Sequence, residues 1–480
     1  MKLVNVSKNT IYAEDIDLYI PYTEDHKPED ISPDTLKKSQ CLRNFIFNGM
    51  LDIAEFNENE QIEKSIVYIT KKTKKKLVKT NSPKKDPKFD KNVLLDKSSS
   101  EIEVKIHGLF FDASGYGKVN RNLAVTLSKA GYKVKIDPVK SQNQLDETEL
   151  LKLSPLQNTR LSKNHILIDS VIPTFSSMSS GTCKILYSTI ESYTVPQQFL
   201  DCCTSSHYNE IWLTSEFSCG VLQKYIKDIP IHWIPTGVDH ELYTENGPKL
   251  NFKPNIKDFV FISVFGWNYR KGYDVLLKAY LDEFSDKDNV SLLLVTRYQG
   301  NTHRQSKEKI KADIDEIMQE FPNKDLPHIV RYNNIIKEKD MPKLYRAADA
   351  FVLLSRGEGG GLPPLEASLC GLPVIMTNVS GQQMYLRKDN AYLVEMDKLV
   401  EAQNEFKIHY WDNQQFPSLK SKEVHEQAKK AMRDVFENYK EAKQRNKKLQ
   451  KLILNNFTWT HTANAASKRL QEINEKLRRK

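Results

Sequence analysis

Short apolar runs alternate with segments of helical spacing from Glu101 onward, and this alternation predicts parallel sheets covered by helices on both faces. EVKIHGLFF begins the series as a strand that turns wholly apolar. YGKVNRNLAVTLSKAG follows, with Val119, Leu123 and Leu127 one helical face apart and Gly131 at the end. Strands YKVKIDPV, HILIDSV and CKILYSTI come next, then helix VPQQFLDCC, strand EIWLTS, helix FSCGVLQKYI and strand IHWIPTGVD. A second series opens after the polar stretch 241–257 with strand FVFISVF and helix GYDVLLKAYLDEF. It continues through VSLLLVTR, EKIKADIDEIMQEF, HIVRYNN, MPKLYRAA, AFVLLS, PPLEASLC, PVIMTN and AYLVEM. The pattern predicts an α/β protein of two doubly wound, Rossmann-like domains, 101–240 and 241–445, joined near Gly237-Val238-Asp239. Two amphipathic stretches close the chain, one striped by Val424, Ala428, Met432, Val435 and Tyr439, the other by Ala463, Ala466, Leu470, Ile473 and Leu477.

The segment before this alternation reads differently. Residues 1–70 suggest a small N-terminal module of unassigned role, with a helix starting at Ser32-Pro33-Asp34 and stopping at Asn48-Gly49. Residues 71–100 are rich in lysine, proline and serine and predict a flexible linker. Charge sharpens this picture. The net charge is +9 over 480 residues, yet 71–91 carry +8 and 439–480 carry +9, so the remainder carries −8. A nucleic-acid-binding body places its basic excess on a folded face, so nucleic acid is not expected as a partner. Solubility is the plainest role of these runs, and peripheral contact with anionic lipid headgroups through 71–91 and 439–480 stays open. Six cysteines without CxxC spacing fit a reducing compartment. The N-terminus lacks the apolar stretch of a secretory signal, and no apolar run approaches the roughly 18 residues of a membrane span. A cytoplasmic protein is expected.

The candidate chemistry lies at strand ends. SRGEGGGLPPLEASLCGLPV, residues 355–374, follows a buried strand and opens a helix with Pro363 or Pro364 in its first turn. Helix N-termini attract anions, and Gly359, Gly360 and Gly361 allow close approach to the backbone. Glu358 and Glu366 flank the glycines, and a carboxylate accepts well from vicinal hydroxyls. From position alone, Glu366 in the first helical turn could equally serve only the helix dipole. Arg270 and Lys271 precede Gly272 at the end of the second domain's first strand, which suits a diphosphate. In the first domain, Ser114-Gly115-Tyr116-Gly117 opens a helix. It reads as G-x-G-x-x-N with Asp137 about 20 residues on, so a nicotinamide-dependent oxidoreductase is a rival reading of that segment.

Taken together, these segments resemble retaining glycosyltransferases of family 4, which have the GT-B fold, over about residues 101–480. EGGGLPPLE resembles the E-x7-E motif and is followed by ASLCGLPVI; YRKGYDVLLKAY resembles the phosphate-binding segment. WIPTGVDHELY resembles the approach to the hinge, and NNFTWTHTANAA the start of a last helix, assigned to 446–480, that crosses back to the first domain. The resemblance implies that Lys271 and Arg270 neutralise the donor diphosphate and that Glu366 binds the nucleotide ribose. Glu358 with the backbone of Gly360, Gly361 and Leu362 would hold the donor sugar and phosphate, while Gly115 and Gly117, flanking Tyr116, would let the first domain's loop close over the phosphates. Arg331, Tyr332 and Asn333 end the strand near which a base is expected, without discriminating uracil from guanine. Two departures stand out. Trp267 follows Gly266 where the family usually has arginine, a place Arg270 could take over. The strand LYSTIESY offers Glu191, as a polar contact or a core-edge residue, and no histidine; His107 reads as structural.

The expected reaction moves a sugar from a UDP- or GDP-linked donor to a hydroxyl of a glycan, lipid or protein, with retention and no required metal or other cofactor. A metal-dependent transferase would need an Asp-x-Asp. Three such pairs occur, Asp15/Asp17, Asp286/Asp288 and Asp313/Asp315, the last inside a predicted helix. A catalytically inactive scaffold of the same shape is the third reading, disfavoured by the presence of Glu358, Lys271 and Glu366 together.

Overall fold

The computed structural model describes residues 2–5, 11–13, 18–20, 29–30, 51–55, 102–141, 144–171, 179–205, 207–252, 256–298, 303–332, 336–402 and 413–479. The chain divides into two compact units, Met1–Asn92 and Val93–Lys480. In the first, β1 (Lys2–Asn5) pairs antiparallel with β4 (Glu29–Asp30) and β5 (Leu51–Glu55), and β2 (Ile11–Ala13) with β3 (Leu18–Ile20). The helix expected from Ser32 to Gly49 and the 71–91 lysines lie outside the described residues.

The second unit holds two parallel six-stranded sheets. The first contains β6 (Glu103–Gly108), β7 (Lys133–Pro138), β8 (Ile166–Ser170), β9 (Cys183–Ser188), β10 (Glu210–Leu213) and β11 (Ile231–Trp233), in the order β11-β10-β9-β8-β6-β7. Its helices are α1 (Gly115–Lys129), α2 (Glu147–Gln157), α3 (Gln197–Ser205) and α4 (Glu216–Leu222). The second sheet contains β12 (Phe259–Gly266), β13 (Val290–Arg297), β14 (His328–Tyr332), β15 (Ala350–Leu353), β16 (Val374–Thr377) and β17 (Tyr392–Val394), in the order β14-β13-β12-β15-β16-β17. Its helices are α5 (Tyr273–Glu283), α6 (His303–Met318), α7 (Met341–Tyr345) and α8 (Leu362–Leu369). β18 (Leu399–Glu401) and β19 (Gln415–Pro417) make a small antiparallel pair, and α9 (Lys422–Glu437), α10 (Tyr439–Asn456) and α11 (Trp459–Arg478) end the chain. No helix among the described residues is long and apolar enough to cross a membrane.

Strand order locates the ligand crevices. It reverses between β6 and β8 in the first sheet and between β12 and β15 in the second. At such switch points the loops leaving neighbouring strands diverge and open a crevice at the carboxyl ends. Arg270 and Lys271 leave β12, and Arg356–Gly361 leave β15, so the two predicted segments meet at one switch point.

The C-terminal boundary differs from the sequence expectation. The break expected after 445 falls inside α10, and the helix that packs on α1 of the first domain is α11. Trp459, Leu470 and Ile473 of α11 are buried in the first domain's core. Chain return is sealed at the hinge, where the Val238 amide donates to the Phe457 carbonyl at 2.9 Å. α2 was not foreseen; its apolar positions are few and Pro155 lies within it.

Candidate active site

Local geometry explains how the β12 and β15 loops meet. Gly272 has φ +66 as it opens α5, and a methyl there would come within 1.7 Å of the Leu354 carbonyl. A side chain would therefore be doubly excluded, by handedness and by contact. The Arg356 amide donates to the Arg270 carbonyl at 2.7 Å. The Arg356 side chain is fully buried, bidentate on Asp274 at 2.8 Å and stacked 3.8 Å from the Tyr269 ring centroid. This clamp ties the two loops into one rigid body and sets Lys271 beside Glu358.

Two charge clusters result. In the first, the Lys271 ammonium donates to both Glu358 oxygens at 2.7 Å. Arg270 lies 3.1 Å from Glu191, 3.8 Å from Glu358, and donates to the Gly357 carbonyl. Burial alone would raise the Glu358 carboxyl, but Lys271 and Arg270 hold it below the ordinary glutamate value. Burial pushes the Lys271 ammonium down and the Glu191 carboxyl up. Glu191 thus comes from the first domain to face the second domain's cation.

The second cluster surrounds Glu366, which is 3 % exposed. Lys118 of α1 reaches across to Glu366 at 2.5 Å and Glu338 at 2.5 Å, and the Tyr345 hydroxyl donates to the other Glu366 oxygen at 3.0 Å. Burial raises the Glu366 carboxyl, and Lys118 only partly offsets it. Lys118, Glu338, Tyr243 and Tyr345 were not singled out in the sequence. The single available signal was Lys118 directly after the Gly115-Tyr116-Gly117 loop.

The glycines meet protein. The sequence predicted an open crevice at the tip of α8, but Ser355–Val374 is buried throughout except for half-buried Gly361 and Pro363. A methyl on Gly359 would come within 1.7 Å of the Thr189 hydroxyl, and one on Gly360 within 2.5 Å of the Thr236 hydroxyl. Thr189 and Thr236 both belong to the first domain's side, so the bare backbone lets the domains close against each other. Leu362 joins the first domain's apolar core. The Thr236 Oγ1 is buried without a hydrogen-bond partner.

Other predicted residues are placed as follows. Gly115 is exposed, with nothing within 4 Å of an added methyl, while Gly117 is pressed against Asp112. Tyr116 between them is half-buried. Arg331 is exposed on β14, the edge strand, and Tyr332 turns its ring edge-on to Phe252 at 5.9 Å; Asn333 lies outside the described residues. Trp267 is buried between Phe265 and Tyr273, with its indole N–H donating to Asp313 at 2.9 Å. The arginine-to-tryptophan departure therefore builds core, and Arg270 stands at the crevice. Asp313 also accepts from Lys309, Asp315 from Lys311, and Asp288 pairs with Arg433 at 3.0 Å, so these three carboxylates are engaged by cations of the protein. Asp15 and Asp17 lie outside the described residues. Asp137, the acid the nicotinamide reading needs, is engaged by Lys105 at 3.0 Å and His107 at 3.3 Å.

Residues 256–406 match the family described as "Glycosyl transferases group 1". O-antigen chain mannosyltransferase B of Escherichia coli is 49 % identical over 51 residues, 11 % of this chain and 13 % of that protein. D-inositol 3-phosphate glycosyltransferase 1 of Catenulispora acidiphila is 26 % identical over 160 residues, 33 % of this chain and 37 % of its own length. The chain thus spans well under two thirds of these curated relatives. Sucrose-phosphate synthase from Thermosynechococcus elongatus superposes with a TM-score of 0.54 at 14 % identity, covering 78 % of this chain and 99 % of that one. Anabaena HepE, solved in complex with UDP and glucose, does so with 0.51 at 12 % identity, covering 77 % and 100 %. The fold is accordingly GT-B, and the likeness to group 1 glycosyl transferases lies in residues 256–406 of the second domain.

Proposed function

We propose that this protein is a retaining glycosyltransferase of family 4 that moves a sugar from a nucleoside-diphosphate donor to a hydroxyl of a glycan, lipid or protein. One observation carries the reading: at the β12/β15 switch point Arg270 and Lys271 converge with Glu358, and with Glu191 from the first domain, just before the N-terminus of α8. Arg270, Lys271 and the positive end of the α8 dipole, where Leu362 alone of the first three residues carries an N–H, offset the charge that grows on the departing diphosphate oxygen. Glu366 accepts from the ribose hydroxyls. Glu358 and the backbone of Gly360, Gly361 and Leu362 hold the sugar and its phosphate. The leaving phosphate takes the acceptor's proton as the new glycosidic bond forms on the same face, so no enzymic nucleophile is needed. Donor entry requires Thr189 and Thr236 to part from Gly359 and Gly360, and reclosure then excludes water. UDP is the first nucleotide to try, since it is the one bound in the Anabaena neighbour; GDP is the second.

A panel of UDP- and GDP-sugars, scored for transfer and hydrolysis, tests the reading. Lys271→Ala and Glu366→Ala should each lower kcat/KM for the productive donor by about a hundredfold. Wild-type turnover and donor affinity in either variant would remove these residues from the site. UDP or GDP should raise the melting temperature and NAD should not; a shift with NAD alone would favour the oxidoreductase, and none at all a scaffold.

A further inference from the structure

Lys118 has no part in the donor contacts above, yet its ammonium is spent wholly outside its own domain. It donates to the Tyr243 hydroxyl at 2.8 Å, and lies 2.5 Å from one oxygen each of Glu338 and Glu366. Three partners use all the hydrogens an ammonium has. The Tyr243 hydroxyl donates in turn to Glu338 at 2.8 Å. Two carboxylates thus share one cation in a buried place, and the cation arrives on α1 from the opposite domain. Burial would depress the Lys118 ammonium, but Glu338 and Glu366 hold it above the ordinary lysine value. Glu338 is likewise held low by Lys118 against the effect of burial.

We propose that Lys118 is a positioning residue that couples domain closure to nucleoside-diphosphate binding, by neutralising Glu338 beside Glu366 and so fixing Glu366 as an acceptor for a ribose diol. The inference rests on the donor reading of Glu366. With the domains apart, Glu338 and Glu366 have no shared cation and repel each other. One of them then takes up a proton or swings away, and a protonated carboxyl accepts poorly from a hydroxyl. With the domains together, Lys118 holds one Glu366 oxygen and Tyr345 the other, and each oxygen keeps a lone pair for a ribose hydroxyl. Since coupling is reciprocal, bound nucleotide favours the closed form by the same factor that closure favours nucleotide. A second positive charge, Arg121, sits one turn further along α1, 3.4 Å from Glu149.

Calorimetric binding of UDP and GDP to the full chain tests this. Wild type should bind one of them, and Lys118→Met should bind it about tenfold more weakly, since removing one member of a buried charge cluster leaves the rest uncompensated. Lys118→Arg, which keeps the charge, should recover most of the loss. The deciding variant is Lys118→Met with Glu338→Gln: removing the repelling neighbour should restore binding to within about threefold of wild type, a non-additivity expected only for groups acting on each other. It also answers the question if Lys118→Met alone fails to fold. Unchanged binding in Lys118→Met, or a double variant as weak as Lys118→Met, overturns the inference while leaving the donor reading intact. A wild type that binds neither nucleotide overturns the donor reading, and this inference with it.

Discussion

Arg270, Lys271 and Lys118 each stand against a carboxylate, and two of those three pairings cross between domains. A diphosphate would have to exchange with Glu358 and Glu191, which already occupy Lys271 and Arg270, so the site is electrostatically balanced before any ligand enters. The glycines make that balance geometrically available. Gly359→Ala would drive a methyl to 1.7 Å from the Thr189 hydroxyl, on a side chain whose own hydroxyl is held by Thr214 at 2.8 Å. Because Thr189 cannot step aside freely, the domains must part. The expected result is a loss of about 1–3 kcal/mol in unfolding free energy together with reduced turnover. Unchanged values for both would show that the glycine serves no interdomain contact.

The β12–α5 and β15–α8 units, neighbours in the sheet, are further tied by one buried ion pair. Arg356 is wholly enclosed, and Asp274, in the first turn of α5, supplies its charge. Asp274→Ala would leave an uncompensated guanidinium in the interior, destabilising the second domain by about 3–5 kcal/mol in denaturant unfolding. A smaller change, below about 1 kcal/mol, would mean that the Tyr269 ring and the Tyr269 carbonyl suffice to hold Arg356. These two units were also the most legible in the chain. Continuous apolar strands, a glycine at φ +66 before α5 and a glycine at φ +92 after α8 are local signals, each readable without knowing a distant neighbour. α10 was not legible, because YKEAKQRNKKLQKLILNN reads as a basic run. Only Ala442, Asn446, Leu449, Gln450 and Ile453 are buried in it, and two of those five are amides packed on α8.

α11 binds the two domains into one unit. It leaves the second domain at Thr458, buries Trp459, Leu470 and Ile473 in the first domain's core, and sets Arg469 on buried Glu210 of β10 at 2.5 Å. Each large apolar side chain of this kind contributes about 1.5–3 kcal/mol when buried. A chain ending at Phe457 should therefore melt at a markedly lower temperature than the full chain, or fail to stay in solution, when compared by calorimetry and sedimentation. A truncated chain with the full-length melting temperature would show that the crossing helix is dispensable to the fold.

Local patterns in this chain were enough to reveal two parallel sheets, the helix that opens after the glycines with Glu366 in it, and the presence of Glu358, Arg270 and Lys271 at strand ends. Those properties depend on periodicity, backbone handedness and the places where strands finish, all of which are written within a few neighbouring positions. The partners of those charges were beyond such reading. Lys118 meets Glu366 across 248 positions and Arg270 meets Glu191 across the hinge, so only the folded chain could bring them together. The glycine stretch, read alone, looked open to a ligand; folded, it rests against Thr189 and Thr236, because packing between domains is set by shape complementarity between surfaces far apart in sequence.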